Sequence, residues 1–479
     1  MNGHNMYLCA MTNPLQASDT IVALATSPGA NGAIAVIRLS GDDAVRIAND
    51  VFHGKDLSKQ ATHTLHFGTI RDGVEIIDEV LISLFIAPHS YTKEHVVEIS
   101  THNSKYIIER IIGLLIKKGA RAANAGEFTM RAFMNGAMDL SQAEAVADLI
   151  AAENRASHEI AMNQMRGGIS NKLQEMREQL INFTALLELE LDFSEEDVEF
   201  ADRSEFLALI TALKTHIRKL TDSFAYGNAI KNGVPVAIIG KPNAGKSTLL
   251  NTLLDEERAI VSDIAGTTRD TIEEAITLEG ITFRFIDTAG LRDTTDAIEA
   301  IGVTKAKEKV RQAKVLLYLY DDINNTTEEV IQQIKELYYE GLIVILVRNK
   351  IDLIGGYQDN EMDQQIRSAL FTDYSDTLVA ISAKSGDSVD QLKSILVEKV
   401  QAMAVDDQHI VTNARHVEAL QQAYHALEEV ENGIAIDLPG DLLAQHVRAS
   451  LRHISSITGD IDVDRDILGT IFGKFCIGK

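Results

Sequence analysis

The spacing of hydrophobic residues divides this chain into stretches of different character. From Thr20 to about Gly119, short runs rich in Val and Ile predict strands over Thr20 to Thr26, Ala33 to Leu39, Glu79 to Ile86 and His95 to Ser100. Turn formers such as Ser27-Pro28-Gly29 and Ser40-Gly41 separate them. Asp42 to Val51 and Tyr106 to Lys118 carry helical spacing, so this stretch reads as a compact α+β domain. Between Gln142 and Gly227 the period is helical almost throughout. Leu173, Met176, Leu180, Phe183, Leu187 and Leu191 line one face of a long amphipathic helix.

From Val234 to about Leu396 the pattern alternates. Val236 to Ile239, Ile281 to Ile286, Val315 to Tyr320, Ile343 to Val347 and Leu378 to Ile381 are buried-strand runs with helical segments between them. That is the signature of a doubly wound, mostly parallel sheet. After Asp406 helical spacing returns through Val417, Leu420, Tyr424 and Leu427, then Leu442, Leu443, Val447 and Leu451. An α/β unit flanked by helical segments suggests an insertion into one helical domain whose two pieces pack together. The expected organisation is therefore multidomain α/β and all-α: a loose tail over 1–19, an α+β domain over 20–120, a discontinuous helical domain over 121–231 and 401–479, and an inserted α/β domain over 232–400.

Composition narrows the class. At 479 residues the chain is too long for one core. It has 45% hydrophobic residues and no tryptophan, as a globular protein would, and no apolar run long enough to span a bilayer. The first twenty residues hold no Lys or Arg and no long apolar core, so no secretory signal or transit peptide is expected. Cys9 and Cys476 stand far apart, which excludes a disulfide framework or zinc knuckle and suits the cytoplasm. A formal charge of −25 argues against a protein that coats nucleic acid unaided. The acidic cluster Glu195-Glu196-Asp197 with Glu199 reads as a solvated loop or helix end, because no second ligand set lies nearby.

The chemistry centres on Gly240-Lys241-Pro242-Asn243-Ala244-Gly245-Lys246-Ser247, which follows a strand and opens into Thr248-Leu249-Leu250. Strand, glycine loop and helix in that order form a phosphate-binding loop. Its backbone from Asn243 to Thr248 would cradle a pyrophosphate, Lys246 would reach the outer phosphates, and Ser247 would offer its hydroxyl to Mg²⁺. Downstream, Asp287-Thr288-Ala289-Gly290 ends a strand, where an aspartate can hold the metal through water and a glycine N–H can meet a γ-phosphate. Between them lies Gly266-Thr267-Thr268-Arg269-Asp270, whose Thr268 can give Mg²⁺ a second hydroxyl.

Asn349-Lys350-Ile351-Asp352 follows another strand. The two oxygens of Asp352 match N1–H and the exocyclic amino group of guanine. Ser382-Ala383-Lys384 completes the base pocket. Each motif alone is weak, but their order, each at a strand end, identifies a guanine-nucleotide domain. Leu291 stands where small signalling GTPases place a water-orienting glutamine. Arg292 and Arg269 are candidates for the missing cation by position, and both read equally as exposed arginines.

Three further segments carry a resemblance: Gly126-Glu127-Phe128-Thr129-Met130-Arg131-Ala132-Phe133, Asp139-Leu140-Ser141-Gln142-Ala143-Glu144-Ala145, and the terminus Phe475-Cys476-Ile477-Gly478-Lys479. Together with the nucleotide motifs, the chain closely resembles the MnmE/TrmE family of tRNA-modification GTPases over nearly its whole length after Asp19. The resemblance implies that 20–120 is a folate-binding and dimerisation domain and that the inserted domain is a P-loop GTPase domain. It implies a homodimer, a FAD-dependent partner, GidA (MnmG), and an aminomethyl-type modification at C5 of the wobble uridine of certain tRNAs, using a tetrahydrofolate one-carbon unit. tRNA would be met mainly through the complex, with no membrane involved.

It also implies that K⁺ replaces the arginine finger when two nucleotide domains meet. Asn243 matches the side-chain ligand for that ion, and Ser262 and Ile264 match its backbone carbonyls, with Thr267 nearby. Glu299 matches the residue that positions water; by itself it reads as a helix-start acid. Arg38, Glu98 and Lys479 match folate contacts. The chain departs from the family where a lysine becomes Ala137 and a His-Gly-Gly run reads His102-Asn103-Ser104. A lone cysteine such as Cys476 is often a small buried hydrophobe, but the resemblance implies a role in the modification. Two other readings share parts of this pattern: a ribosome-assembly G protein, which would carry a basic RNA-binding module, and a folate-dependent methyltransferase with an accessory GTPase.

Overall fold

The computed structural model describes residues 19–26, 32–192, 203–256, 274–286, 307–354, 360–371, 377–403, 410–436 and 438–459. They form two compact units. One gathers residues within Met1–Ala147, Met165–Leu173 and Ser455–Lys479, the other residues within Asp148–Gln164 and Gln174–Ile454.

The first unit is built on a sheet of seven strands among the described residues, in the order β3-β4-β5-β6-β2-β1-β7, with the two-residue strands β3 (Phe52–His53) and β7 (Arg121–Ala122) at its edges. Its central strands are β2 (Ile34–Ser40), β5 (Glu75–Phe85) and β6 (Val96–His102), with β1 (Ile21–Leu24) next to β2. Helices α1 (Ala44–Asn49) and α2 (Lys105–Lys117) cover one face, where Ile37, Leu39, Ile82, Leu84, Val97 and Ile99 are buried. Hydrophobic spacing does not mark β4 (Thr64–Asp72), which pairs antiparallel with β5. Its alternation is inverted. Leu65 and Phe67 point outward at 59% and 67% exposure, while His66 and Gly68 face the core.

The second unit holds a sheet of six strands among the described residues, ordered β13-β12-β11-β8-β10-β9. Strands β8 (Val234–Gly240), β10 (Ile281–Phe285), β11 (Val315–Tyr320), β12 (Ile343–Arg348) and β13 (Thr377–Ala380) run parallel. β9 (Glu274–Leu278) adds an antiparallel edge that the short apolar pattern did not reveal. Every side chain of β11 is buried, because helices cover both faces.

Helix α7 (Arg203–Asn232) runs straight into β8 through Gly233, whose φ of +78° is the left-handed turn that commonly follows a helix. The chain returns beside its point of departure. Val411 N–H donates to Ser223 Oγ at 3.0 Å, and Gln164 Nε2 donates to the Ile410 carbonyl at 3.0 Å. A Cβ on Gly227 would lie 2.2 Å from the Val411 carbonyl oxygen, so α7 accepts the returning chain only where it lacks a side chain. The helix after that return, Ala414–Ala435, packs along α7, and Lys214 is 2.6 Å from Glu431 across the pair. Both ends of the α/β segment are thus held on α7.

Candidate functional site: a nucleotide cradle at the strand ends

The carboxyl ends of parallel strands are where an open α/β sheet exposes loops to a ligand. Here the loop between β8 and α8 (Lys246–Glu256) wraps back on itself. Lys246 Nζ donates to the carbonyls of Gly240 and Lys241, each at 2.8 Å, and Ala244 N–H donates to Lys241 O at 3.2 Å. Two residues are left-handed, Gly245 at φ +97° and Asn243 at φ +62°. A left-handed asparagine is uncommon, and here it stands exposed on the outer rim of the loop. A Cβ on Gly240 would sit 2.3 Å from the Leu319 carbonyl oxygen, so the loop can start only with glycine.

The two segments expected to meet the base, 349–352 and 382–384, are tied to this loop through one side chain. Asn349 Nδ2 donates to the Ala244 carbonyl at 2.8 Å, and the Ala383 N–H donates to Asn349 Oδ1 at 2.9 Å. Thr252 Oγ1, one turn into α8 beyond Thr248, donates to the Ala383 carbonyl at 2.8 Å. Ser382 Oγ donates to Asp352 Oδ1 at 2.8 Å, which orients a carboxylate that is otherwise exposed. Lys350, at φ +68°, reaches Asp321 Oδ2 at 2.8 Å, and Lys384, which follows Ala383, is exposed. Asn243, Ala244, Gly245, Lys246, Ser247, Thr248, Asn349, Lys350, Asp352, Ser382, Ala383 and Lys384 thus converge on one end of the sheet.

Electrostatics suit an anion. Burial, with the Lys309 ammonium adding to it, holds Lys246 below the ordinary lysine value. A cation disfavoured in this way gains from a polyanion placed against it. Ser247, in the first turn of α8, has the hard oxygen that Mg²⁺ prefers, and the Asn243 amide offers the same kind of donor to a larger cation. The other expected ligands and contacts, Ser262, Ile264, Gly266, Thr267, Thr268, Asp287, Thr288, Ala289, Gly290 and Glu299, lie outside the described residues, as do Cys476 and Lys479.

In the first unit, Arg38 and Glu98 face each other across β2 and β6, with Arg38 Nε donating to Glu98 Oε1 at 2.8 Å. The guanidinium lies 5.6 Å from the ring centres of both Tyr91 and Phe128. Charge beside aromatic faces suits an aromatic ligand that carries hydrogen-bonding groups. Ala137 is exposed and supplies no charge. His102 Nδ1 pairs with buried Asp78 at 2.7 Å, and Asn103 Nδ2 donates to the Gly32 carbonyl at 2.8 Å. Spacing did not reveal the ionic cluster behind them. Buried Arg131 meets Asp19, Glu94 and Glu127, while Arg121 meets Asp19 and Glu127. Its residues come from three separate stretches of chain.

Two family models match: "MnmE helical domain" over residues 140–476 and "GTP-binding protein TrmE N-terminus" over 20–137. The tRNA modification GTPase MnmE of Cytophaga hutchinsonii is 52% identical over 465 residues, 96% of this chain and 98% of that protein. Those of Christiangramia forsetii and Flavobacterium johnsoniae are 51% and 52% identical over 97% and 96% of this chain, and 100% and 99% of their own lengths. A structure of Aquifex aeolicus Era aligns at 28% identity over 40% of this chain and 66% of that one, with a TM-score of 0.27, too low to define a shared architecture.

Proposed function

The chain belongs to the MnmE/TrmE family of tRNA modification GTPases, and on that premise we propose that it hydrolyses GTP as a potassium-activated homodimer during wobble-uridine modification. With a FAD-dependent GidA-type partner it takes part in placing an aminomethyl-type group at C5 of that uridine. A tetrahydrofolate derivative, held at Arg38, Glu98 and Lys479, brings the one-carbon unit. The tRNA is met mainly through the complex, in the cytoplasm. Among the described residues no helix is long and apolar enough to cross a membrane. The domain bounds we assign are 20–120, 121–231 with 401–479, and 232–400.

The observation that carries the nucleotide assignment is the Asn349 bridge. It fixes the phosphate loop at Ala244 and the base loop at Ala383 with one amide, so phosphate and base are read by a single rigid edge. Lys246 then holds the outer phosphates, Asp352 reads the guanine edge, and Ser247 with Thr268 holds Mg²⁺. When bound, Mg²⁺ and K⁺ neutralise charge developing on the phosphates. For K⁺ the side-chain ligand is Asn243, with Ser262, Ile264 and Thr267 beside it. Glu299 orients the attacking water, and Cys476 serves the modification.

The dimer assignment is supported by the outer face of the first sheet. Phe67 and Leu81 lie directly opposite each other on β4 and β5, at 67% and 40% exposure, with Leu65 next to them at 59%. Three large apolar side chains together on one exposed face mark a contact surface. The proposal is tested by GTP turnover in KCl and in NaCl at equal ionic strength. Much faster turnover in KCl is expected, and equal rates would remove potassium from the reaction. Glu299→Ala should keep nucleotide affinity and lose turnover; hydrolysis at the parental rate would take Glu299 out of its role.

A further inference from the structure

The segment that reads the base leaves β12 at Arg348 and comes back at the helix Glu361–Leu370, here α10, whose N-cap is Asn360. Its two ends are gripped by one buried guanidinium. Arg348, 1% exposed, is paired through NH1 with Asp363 in the first turn of α10, itself 0% exposed, and through NH2 with Asp322 at 3.0 Å. Asn360 holds the same junction from the other side: its Oδ1 accepts from the Asp363 N–H at 2.9 Å and its Nδ2 donates to Asp322 Oδ2 at 3.1 Å. Tyr320 Oη donates to Asp363 Oδ1 at 3.1 Å. The residues so joined, Arg348 and Asp363, are 15 apart in sequence, and the segment between them carries Asn349, Lys350 and Asp352.

Docking of α10 does not rest on this cluster alone. Ile366 and Leu370 already bury its apolar face beside Leu346 and Tyr318. A buried ion pair is weak evidence for stability, since taking two charges out of water offsets most of their attraction; what it supplies is one fixed geometry. The fork of an arginine shared by two carboxylates sets direction as well as distance. On the other side of the chain, the Arg348 carbonyl accepts from Ile381 N–H at 2.7 Å, one residue before Ser382, and Ser382 orients Asp352. The Arg348 side chain therefore joins the two ends of the base-reading loop, while its main-chain carbonyl ties the first end to the strand beside it.

We propose that Arg348, clamped between Asp363 and Asp322, is the positioning residue that aims the Asp352 carboxylate at guanine and so sets base specificity. The proposal rests on the base-pocket reading given above. An unclamped loop leaves the phosphate contacts intact but lets Asp352 drift from the two donors it must meet together. Discrimination against a base that lacks one donor then falls, whereas phosphate binding changes little.

The test compares GTP with ITP, whose base lacks the exocyclic amino group, in competition binding and in turnover. Arg348→Met combined with Asp363→Leu removes the buried pair and fills its space, leaving the half-buried Asp322 carboxylate with Asn360. We expect it to fold, to lose at least fivefold of the GTP-over-ITP preference, and to raise KM for GTP with kcat within about twofold of the parent. Arg348→Lys keeps the charge and removes only the fork; we expect it to fold and to lose at least twofold of the preference. The parental preference in Arg348→Lys, or in a folded double variant, overturns the proposal. Asp352→Asn separates the two levels. If it leaves the preference unchanged, the base-pocket reading fails; if it lowers the preference and the Arg348 variants do not, only the clamp fails.

Discussion

A methyl group on Gly245 would have to occupy the place of the Asn349 amide, with the ideal Cβ position 2.1 Å from Nδ2. The φ of +97° at Gly245 adds a second objection to any side chain there. Gly245→Ala must therefore push Asn349 away and break its bonds to Ala244 and Ala383. Loss of a buried hydrogen bond with an unsatisfied partner costs about 1–3 kcal/mol. Both Gly245→Ala and Asn349→Ala should weaken GDP binding on the order of thirtyfold, a loss of about 2 kcal/mol. Titration with a fluorescent GDP analogue checks it, and parental affinity in Asn349→Ala would dissolve the bridge as an explanation.

Lys246 separates function from stability. Burial holds its ammonium below the ordinary value, a cost offset by its bonds to the Gly240 and Lys241 carbonyls, and Met removes both together. Lys246→Met should leave the melting temperature nearly unchanged. It should lower turnover on the order of a hundredfold or more, as removal of one charge-stabilising donor commonly does. A variant that melts earlier and still turns over would contradict this.

The first unit should be acid-labile. Burial opposes ionisation of Glu127, yet hydrogen bonds and charge from Arg121, the Asn124 N–H and the Arg131 charge outweigh it and hold its carboxyl below the ordinary 4.5. A depressed carboxylate contributes stability above its unfolded value, and that stability is lost as pH falls through the lower folded value. The transition is therefore expected below pH 4.5. Arg131→Met takes one of two guanidinium partners from buried Glu127 and removes a partner of half-buried Glu94, which costs about 1–3 kcal/mol and moves the acid transition to higher pH. Circular dichroism against pH reads both effects.

Much of this was legible in the sequence because the residues concerned answer to local physics. β11 and β12 are apolar on both faces, so Val315 to Tyr320 and Ile343 to Val347 announce themselves. The phosphate loop is legible for a similar reason: its glycines sit where a Cβ would strike Leu319 or Asn349. β4 was not legible. Its outward Leu65 and Phe67 and inward His66 and Gly68 invert the usual alternation, since the outer face bears the apolar residues. The Arg348 clamp was hidden too, because Asp363 reads as an ordinary acid in the first turn of a helix until the fold brings it to β12.

That inverted face can be tested directly. Phe67→Glu replaces an exposed side chain, so monomer stability should change by no more than about 0.5 kcal/mol. Placed opposite its own copy or against apolar surface, the charge should convert the dimer to a monomer in sedimentation velocity. An unchanged dimer would move the contact surface elsewhere.

The most direct measurement is of the wobble nucleosides of tRNA incubated with this chain, a GidA-type FAD-dependent partner, a tetrahydrofolate one-carbon donor, GTP and K⁺. The expected result is a C5 aminomethyl-type uridine that disappears when GTP is omitted, when Lys246 is replaced by Met, or when Na⁺ stands in for K⁺. Unmodified uridine in the complete mixture, or modification that proceeds without GTP, would contradict a reaction driven by GTP hydrolysis at the Gly240–Ser247 loop.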